Sequence, residues 1–293
     1  MAARPALQMP AESAEPLPAA PAVGRAGRNL PAAIGVGVVL ACLVTVPLFS
    51  PYRWLFLLVV AGAATIGSRE IMDALRTLGP RPAAVPAAVG GIAMVAAAYY
   101  GGSDALFLAW IGTALACVVW RLATPTAGFL RDVAASIFTV TYVPFLISFA
   151  ALMAIPADGP RRVTVFVATV VASDIGGYAA GVLFGKHPMA PTVSPKKSWE
   201  GFGGSLVACA LAGAVFFVTL FHASALLGVV FGLAVVATAT LGDLGESMVK
   251  RDIGIKDMGN LLPGHGGLMD RLDSLLPTAP VALLLLSGFL PTS

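Results

Sequence analysis

Two aspartates, Asp243 and Asp270, stand inside a polar stretch whose residue types suit metal-assisted phosphate chemistry. The stretch, Leu241 to Ser274, reads LGDLGESMVKRDIGIKDMGNLLPGHGGLMDRLDS. Ten of its 34 residues are Lys, Arg, Asp or Glu, against 11% for the whole chain, and apolar runs flank it on both sides. Acids (Asp243, Glu246, Asp252, Asp257, Asp270, Asp273) alternate with bases (Lys250, Arg251, Lys256, Arg271). Carboxylates hold hard cations, bases hold phosphates, and glycines let backbone N–H groups approach an anion.

Twenty-six residues separate Asp243 from Asp270, so the two cannot share a helix face. If the intervening segment folds back as a hairpin, both meet at one membrane surface. Two carboxylates that leave positions for substrate phosphates suit Mg²⁺, which gives up its waters reluctantly. The plain alternative is two acids at helix ends. Asp243 closes an apolar run, however, and a helix C-terminus disfavours negative charge. Lys250, Arg251 and Lys256 are placed to neutralise phosphate charge, or merely to anchor the membrane edge. The turn Pro263-Gly264-His265-Gly266-Gly267 resembles no Walker A loop but suits an anion-binding turn at Gly266 and Gly267. His265 fits three roles equally: phosphate donor, general acid, or brace of the turn.

A second polar segment, Gly185 to Ser205, reads GKHPMAPTVSPKKSWEGFGGS. Ser194, Lys196, Lys197 and Ser198 bring two hydroxyls and two ammonium groups beside Trp199 and Glu200. Lysines suit a triphosphate and an aromatic ring can stack on a base; a basic patch binding anionic lipid is the plainer reading. Gly181 to Lys186 lacks the spacing and the hydroxyl of a P-loop. Asp174 is the acid inside an apolar run, with Tyr178 one turn on. Such an acid is costly in lipid. It lines a polar surface near a lipid headgroup or makes a buried Asp–Tyr hydrogen bond. Gly177, Gly181 and Gly185 recur at the spacing that lets helices pack closely.

The elements that carry these residues are membrane helices. The chain has 293 residues, is 58% hydrophobic and only 11% charged, where a soluble domain has roughly 25% charged residues. Its apolar runs are long enough to cross a ~30 Å hydrocarbon core. The expected fold is therefore an all-α polytopic membrane protein of about nine transmembrane helices with a cytoplasmic-face polar site. The spans are expected at Leu30–Phe49, Trp54–Gly67, Pro82–Tyr100, Ala105–Trp120, Val133–Ile155, Val163–Phe184, Phe202–Phe221, Ala225–Gly242 and Leu275–Leu290. Ser68–Arg81 reads as a short amphipathic surface helix. Residues 1–29, rich in Ala and Pro, read as a disordered tail; 30–160 form an N-terminal set of helices and 161–293 the catalytic part. The net charge of +3 and the lack of a basic stripe with aromatics point away from nucleic acid. Cys42, Cys117 and Cys209 sit singly in apolar runs, as packing residues.

Nine spans put fifteen of the Lys and Arg residues on one side and only Arg53, Arg161 and Arg162 on the other. Basic loops stay in the cytoplasm, so the N-terminus and both polar segments are expected there. The protein then lies in a bacterial inner (plasma) membrane. A homodimer is one arrangement open to it.

The stretch Ser247 to Asp273 resembles the diagnostic pattern of phosphatidate cytidylyltransferases, S-x-x-K-R-x(4)-K-D-x-G-x(2)-L-P-G-H-G-G-x-x-D-R-x-D, with every fixed position filled. The upstream segment is similar to the family at Asp174, Tyr178, the Ser-Pro-Lys-Lys run and Trp199-Glu200-Gly201; Ser198 stands where threonine is frequent. The resemblance implies that phosphatidate and CTP give CDP-diacylglycerol and pyrophosphate, with Mg²⁺ on Asp243 and Asp270. It places Lys250, Arg251 and Arg271 on nucleotide or lipid phosphate, with Lys196 and Lys197 closing from the other loop. A proton-coupled transporter using Asp174 is the competing class; the polar residues concentrate in loops rather than along a path. The pattern of CDP-alcohol phosphatidyltransferases is absent.

Overall fold

The computed structural model of the chain describes residues 30–261 and 266–290. The expected tail at 1–29 and the candidate His265 lie outside them. The helices run in order α1 (Leu30–Leu48), α2 (Trp54–Arg76), α3 (Ala84–Leu122), α4 (Phe129–Val140), α5 (Leu146–Met153) and α6 (Gly159–Phe184). After a short hairpin, β1 (Pro188–Ala190) and β2 (Ser194–Ser198), come α7 (Trp199–Phe221), α8 (Ala225–Ile253), α9 (Met269–Leu272) and α10 (Leu275–Phe289). Apolar composition drives every long helix, since backbone groups in lipid must bond within their own segment. The antiparallel β1–β2 pair is a departure from the all-α expectation.

Among the described residues seven stretches are long and apolar enough to cross a membrane: α2, α3, the α4–α5 run, α6, α7, α8 and the α9–α10 run; α1 contributes a shorter apolar helix, Gly35–Leu48. That count is two short of the expected nine, because Pro82–Tyr100 and Ala105–Trp120 lie in one 39-residue helix, α3, and the described apolar part of α1 is too short to be counted. That helix is broken at Gly102, whose φ of 74° and ψ of −163° are not helical. Its two arms fold back on each other. A Cβ on Gly90 would collide with the Thr113 side chain, and a straight helix would hold those residues about 35 Å apart. Asp132 of α4 ties both ends of α3 together: its Oδ1 accepts from Arg81 N, just before the helix, at 2.8 Å, and its Oδ2 accepts from Arg121 Nε in the last turn at 2.7 Å.

α4 and α5 are joined by a π-helical turn, Thr141–Phe145. Pro144 lacks the N–H an α-helix needs, and the wider turn accommodates this. Ser148 Oγ then donates to Pro144 O at 2.6 Å.

Two further expectations are corrected. Ser68–Arg81 is no separate surface helix, because α2 runs unbroken to Arg76, and Ile71 and Met72 are buried in the bundle. Nor does Asp243 close a helix: α8 continues ten residues past it, to Ile253. Lys250 pairs with Glu246 one turn earlier, at 3.1 Å, which supports that polar extension. The argument that Asp243 suffers from a C-terminal dipole therefore falls.

α6, α7 and α8 pack backbone to backbone. A Cβ on Gly204 would meet the Gly176 carbonyl at 2.5 Å, one on Gly177 the Ser205 hydroxyl at 2.5 Å, and one on Gly213 would run into the Gly228 carbonyl. Small residues permit this approach, and dispersion contacts hold it. The opposite end of the bundle is tied by the three arginines expected on the base-poor side. Arg53 Nη1 donates to Ala154 O at 3.2 Å, Arg161 Nη1 to Leu220 O at 3.4 Å, and Arg162 Nη1 to Leu286 O at 3.1 Å.

Candidate active site

The close α6–α7–α8 packing opens at one end into a cavity of about 570 Å³, a size typical of ligand sites. Seven of the sequence candidates line it: Asp174, Tyr178, Lys196, Lys197, Asp243, Asp270 and Arg271. Asp273 joins them, so four carboxylates and three cations face one space. Asp174 and Tyr178 share no hydrogen bond among the described residues, which leaves both side chains on the lining rather than on each other. Asp174, which a carrier would place along a path of its own, lies on the same cavity.

Each side chain is positioned by a local cause. Lys196 and Lys197 sit on β2, which runs straight into α7. Ser198 caps that helix by accepting from Gly201 N at 3.1 Å. Glu200 steadies the hairpin from the other side: its Oε2 accepts from Lys186 N and His187 N at 3.2 Å, and Oε1 lies 2.5 Å from His187 Nδ1. Lys197 Nζ then reaches Asp243 Oδ2 at 2.5 Å, linking the hairpin to α8. Ser247 Oγ donates to the other Asp243 oxygen at 3.4 Å.

Asp270 is held more fully. Lys250 Nζ lies 2.8 Å from its Oδ1, while Met258 N and Gly267 N donate to Oδ2 at 3.0 and 2.8 Å. Lys250 thus bridges Asp270 and the buried Glu246 and stays outside the cavity lining. Gly266 takes a left-handed φ of 81°, and a Cβ there would meet Asp270 Oδ2 at 2.8 Å. Glycine at 266 and 267 therefore shapes the turn that carries Asp270.

Besides Lys250, Gly266 and Gly267, four further candidates stand off the cavity. Arg251 Nε donates to Val193 O at 3.3 Å and braces the β-hairpin. Ser194 starts β2, outside the lining. Lys256 and Asp257 are exposed on the connector after α8.

Sequence reasoning missed Glu70. From α2 its carboxylate accepts Leu268 N at 3.0 Å and Met269 N at 2.7 Å, holding the start of α9. A Cβ on Gly259 or Gly267 would strike this carboxylate. The bonds span 198 and 199 residues, and locally Glu70 stands among Arg69, Asp73 and Arg76 in the charged last third of α2, where nothing singles it out.

The donor set fits a hard divalent cation, since Asp174, Asp243, Asp270 and Asp273 offer only oxygen. Among the described residues no three such side chains stand close enough to hold an ion by themselves. A cation here would complete its shell with water and substrate phosphate, as Mg²⁺ commonly does.

Residues 28–289 match the cytidylyltransferase family. The chain is 44% identical over 280 residues to a phosphatidate cytidylyltransferase of Mycobacterium leprae, covering 90% of this chain and 89% of that protein. It is 43% identical over 295 residues to the Mycobacterium bovis protein of the same name, covering 96% and 95%. A more distant relative, phosphatidate cytidylyltransferase 4, chloroplastic, of Arabidopsis thaliana, is 32% identical over 281 residues, covering 85% and 70%.

Proposed function

The chain belongs to the cytidylyltransferase family, and we propose on that premise that it transfers the cytidylyl group of CTP to phosphatidate. The products are CDP-diacylglycerol and pyrophosphate. The observation that carries the reading is one cavity in which carboxylates from α6, α8 and α9 meet lysines of the β2 strand and an arginine of α9.

An oxygen of the phosphatidate phosphate forms a bond to the α-phosphorus of CTP. The bond from that phosphorus to the α,β-bridging oxygen breaks, and pyrophosphate leaves with the electron pair. A phosphate nucleophile is already anionic, so the protein's task is positioning and charge neutralisation. Lys196, Lys197 and Arg271 supply positive charge to the phosphates. Lys197 exchanges its contact with Asp243 for substrate oxygen, and Lys250 fixes the Asp270 carboxylate from behind. Asp174 and Tyr178 line the α6 side, where the lipid headgroup enters. Asp243 and Asp270 would hold Mg²⁺, which when bound supplies Lewis-acid polarisation of the nucleotide phosphates.

The topology we propose has nine crossings, with α1 as the first and the two arms of α3 as the third and fourth. The Gly102 break and the link of both α3 ends through Asp132 support it. This arrangement puts the N-terminus and the cavity in the cytoplasm of a bacterial cell, by the excess of basic residues on that side. Purified protein given labelled CTP, phosphatidate and Mg²⁺ should yield a lipid-soluble labelled product. No such product with phosphatidate present, or equal label transfer without it, refutes the reaction.

A further inference from the structure

A second cavity, also about 570 Å³, lies where the ends of α2, α3 and α4 meet. It shares no lining residue with the first. Both occupy the same end of the bundle, because α2 passes Glu70, which holds Leu268 and Met269, before its chain reaches Gly79 in this second cavity.

Three arginines and one aspartate line it, for a net charge of +2. Arg121 is 7% exposed and already committed: its Nε pairs with Asp132 at 2.7 Å, and its Nη1 and Nη2 donate to Pro125 O and Ala127 O at 3.0 and 2.9 Å. Arg131 is fixed as well. Its guanidinium lies against Gly79 and Gly128, both at positive φ, and a Cβ on Gly79 would meet it at 3.0 Å. The Arg81 guanidinium is exposed and has no partner among the described residues. Its backbone N–H is what Asp132 accepts. A buried ion pair thus holds a frame on which Arg81 and Arg131 present cationic edges. Trp120, 49% exposed, lines the cavity at the end of a membrane-length helix.

We propose that this cavity binds the phosphate head of an anionic phospholipid, apart from the catalytic cavity. Guanidinium groups suit phosphate oxygens. The exposed Trp120 on the lining suits the glycerol and the first acyl carbons, as interfacial aromatics do. A free phosphate would satisfy the arginines but would leave the exposed Trp120 ring without a partner, which favours the lipid.

The test uses full-length protein in neutral micelles doped with chain-brominated phosphatidylglycerol or phosphatidylcholine. Quenching by bromine is read as the difference between the protein and its Trp120→Phe variant. The expected result is a saturable Trp120 quench by the anionic lipid at concentrations where the zwitterionic lipid gives none. Arg81→Glu should shift the midpoint about twenty-five-fold, from roughly fivefold for each unit of charge near a membrane surface, and Arg81→Lys should restore it. Cytidylyl transfer in neutral micelles should be unchanged in Arg81→Glu, which also shows that the variant is folded. Equal midpoints for the two lipids, or an unshifted midpoint in Arg81→Glu, overturns the proposal. So does complete displacement by inorganic phosphate at the lipid's own concentration, which would assign the site to a soluble anion.

Discussion

Glu70→Ala removes the acceptor for two backbone N–H groups at the start of α9 without touching the cavity lining. Both bonds, at 3.0 and 2.7 Å, are to a carboxylate. A hydrogen bond to a charged group contributes roughly 1.5–3 kcal/mol, so the pair anchors the segment with about 3–6 kcal/mol. Asp270, Arg271 and Asp273 all ride on that segment. If even 3 kcal/mol of its docking is required for the transition state, turnover falls about a hundredfold. Glu70→Gln keeps the shape and one acceptor oxygen but no charge, and should lie between, at about tenfold. The assay is initial-rate CTP incorporation into lipid in detergent, with thermal unfolding measured alongside. A Glu70→Ala protein that turns over at the wild-type rate would refute the reasoning, since α9 would then hold its position unaided.

Asp243→Asn and Asp270→Asn should each lose activity by orders of magnitude while still inserting and purifying as monodisperse protein; near-normal turnover in either removes it from the site. Chelation of divalent cations should abolish label transfer and added Mg²⁺ restore it, whereas unaffected transfer in chelator sinks the metal assignment. Asp132→Ala strands the 7%-exposed Arg121 without its counter-charge and should destabilise by ~3–5 kcal/mol, read as a lower unfolding temperature; an unchanged temperature shows that solvent reaches Arg121. In a cysteine-free background, a cysteine at Lys256 should react with an impermeant maleimide only in inside-out vesicles and one at Tyr52 only in right-side-out vesicles, and the reverse pattern inverts the topology.

Hydropathy carried most of the helical plan, because lipid forces backbone bonding inside each apolar run. It even located the break in α3, between Tyr100 and Ala105, where Gly101, Gly102, Ser103 and Asp104 interrupt the apolar run. It misjudged where α2 and α8 end. Beyond the apolar run a helix continues on polar i,i+4 pairs such as Glu246–Lys250, which hydropathy counts as loop. The charged residues of the cavity were legible as a set, since membrane chains carry few charges without cause. Their partners were not. Lys250 was expected on substrate but bonds Asp270, and Arg251 bonds the hairpin. Glu70 was invisible because its contacts lie nearly 200 residues away.

The glycine seam through α6, α7 and α8 has a mechanical consequence. Where backbones touch directly there are no rotamers to switch and no voids to fill, so the three helices move as one stiff plate. Asp174 and Asp243 are embedded in that plate, so their separation is expected to change little through turnover. Any breathing of the site therefore falls to its thin attachments, the β1–β2 ribbon that carries Lys197 and the connector that leads into Asp270.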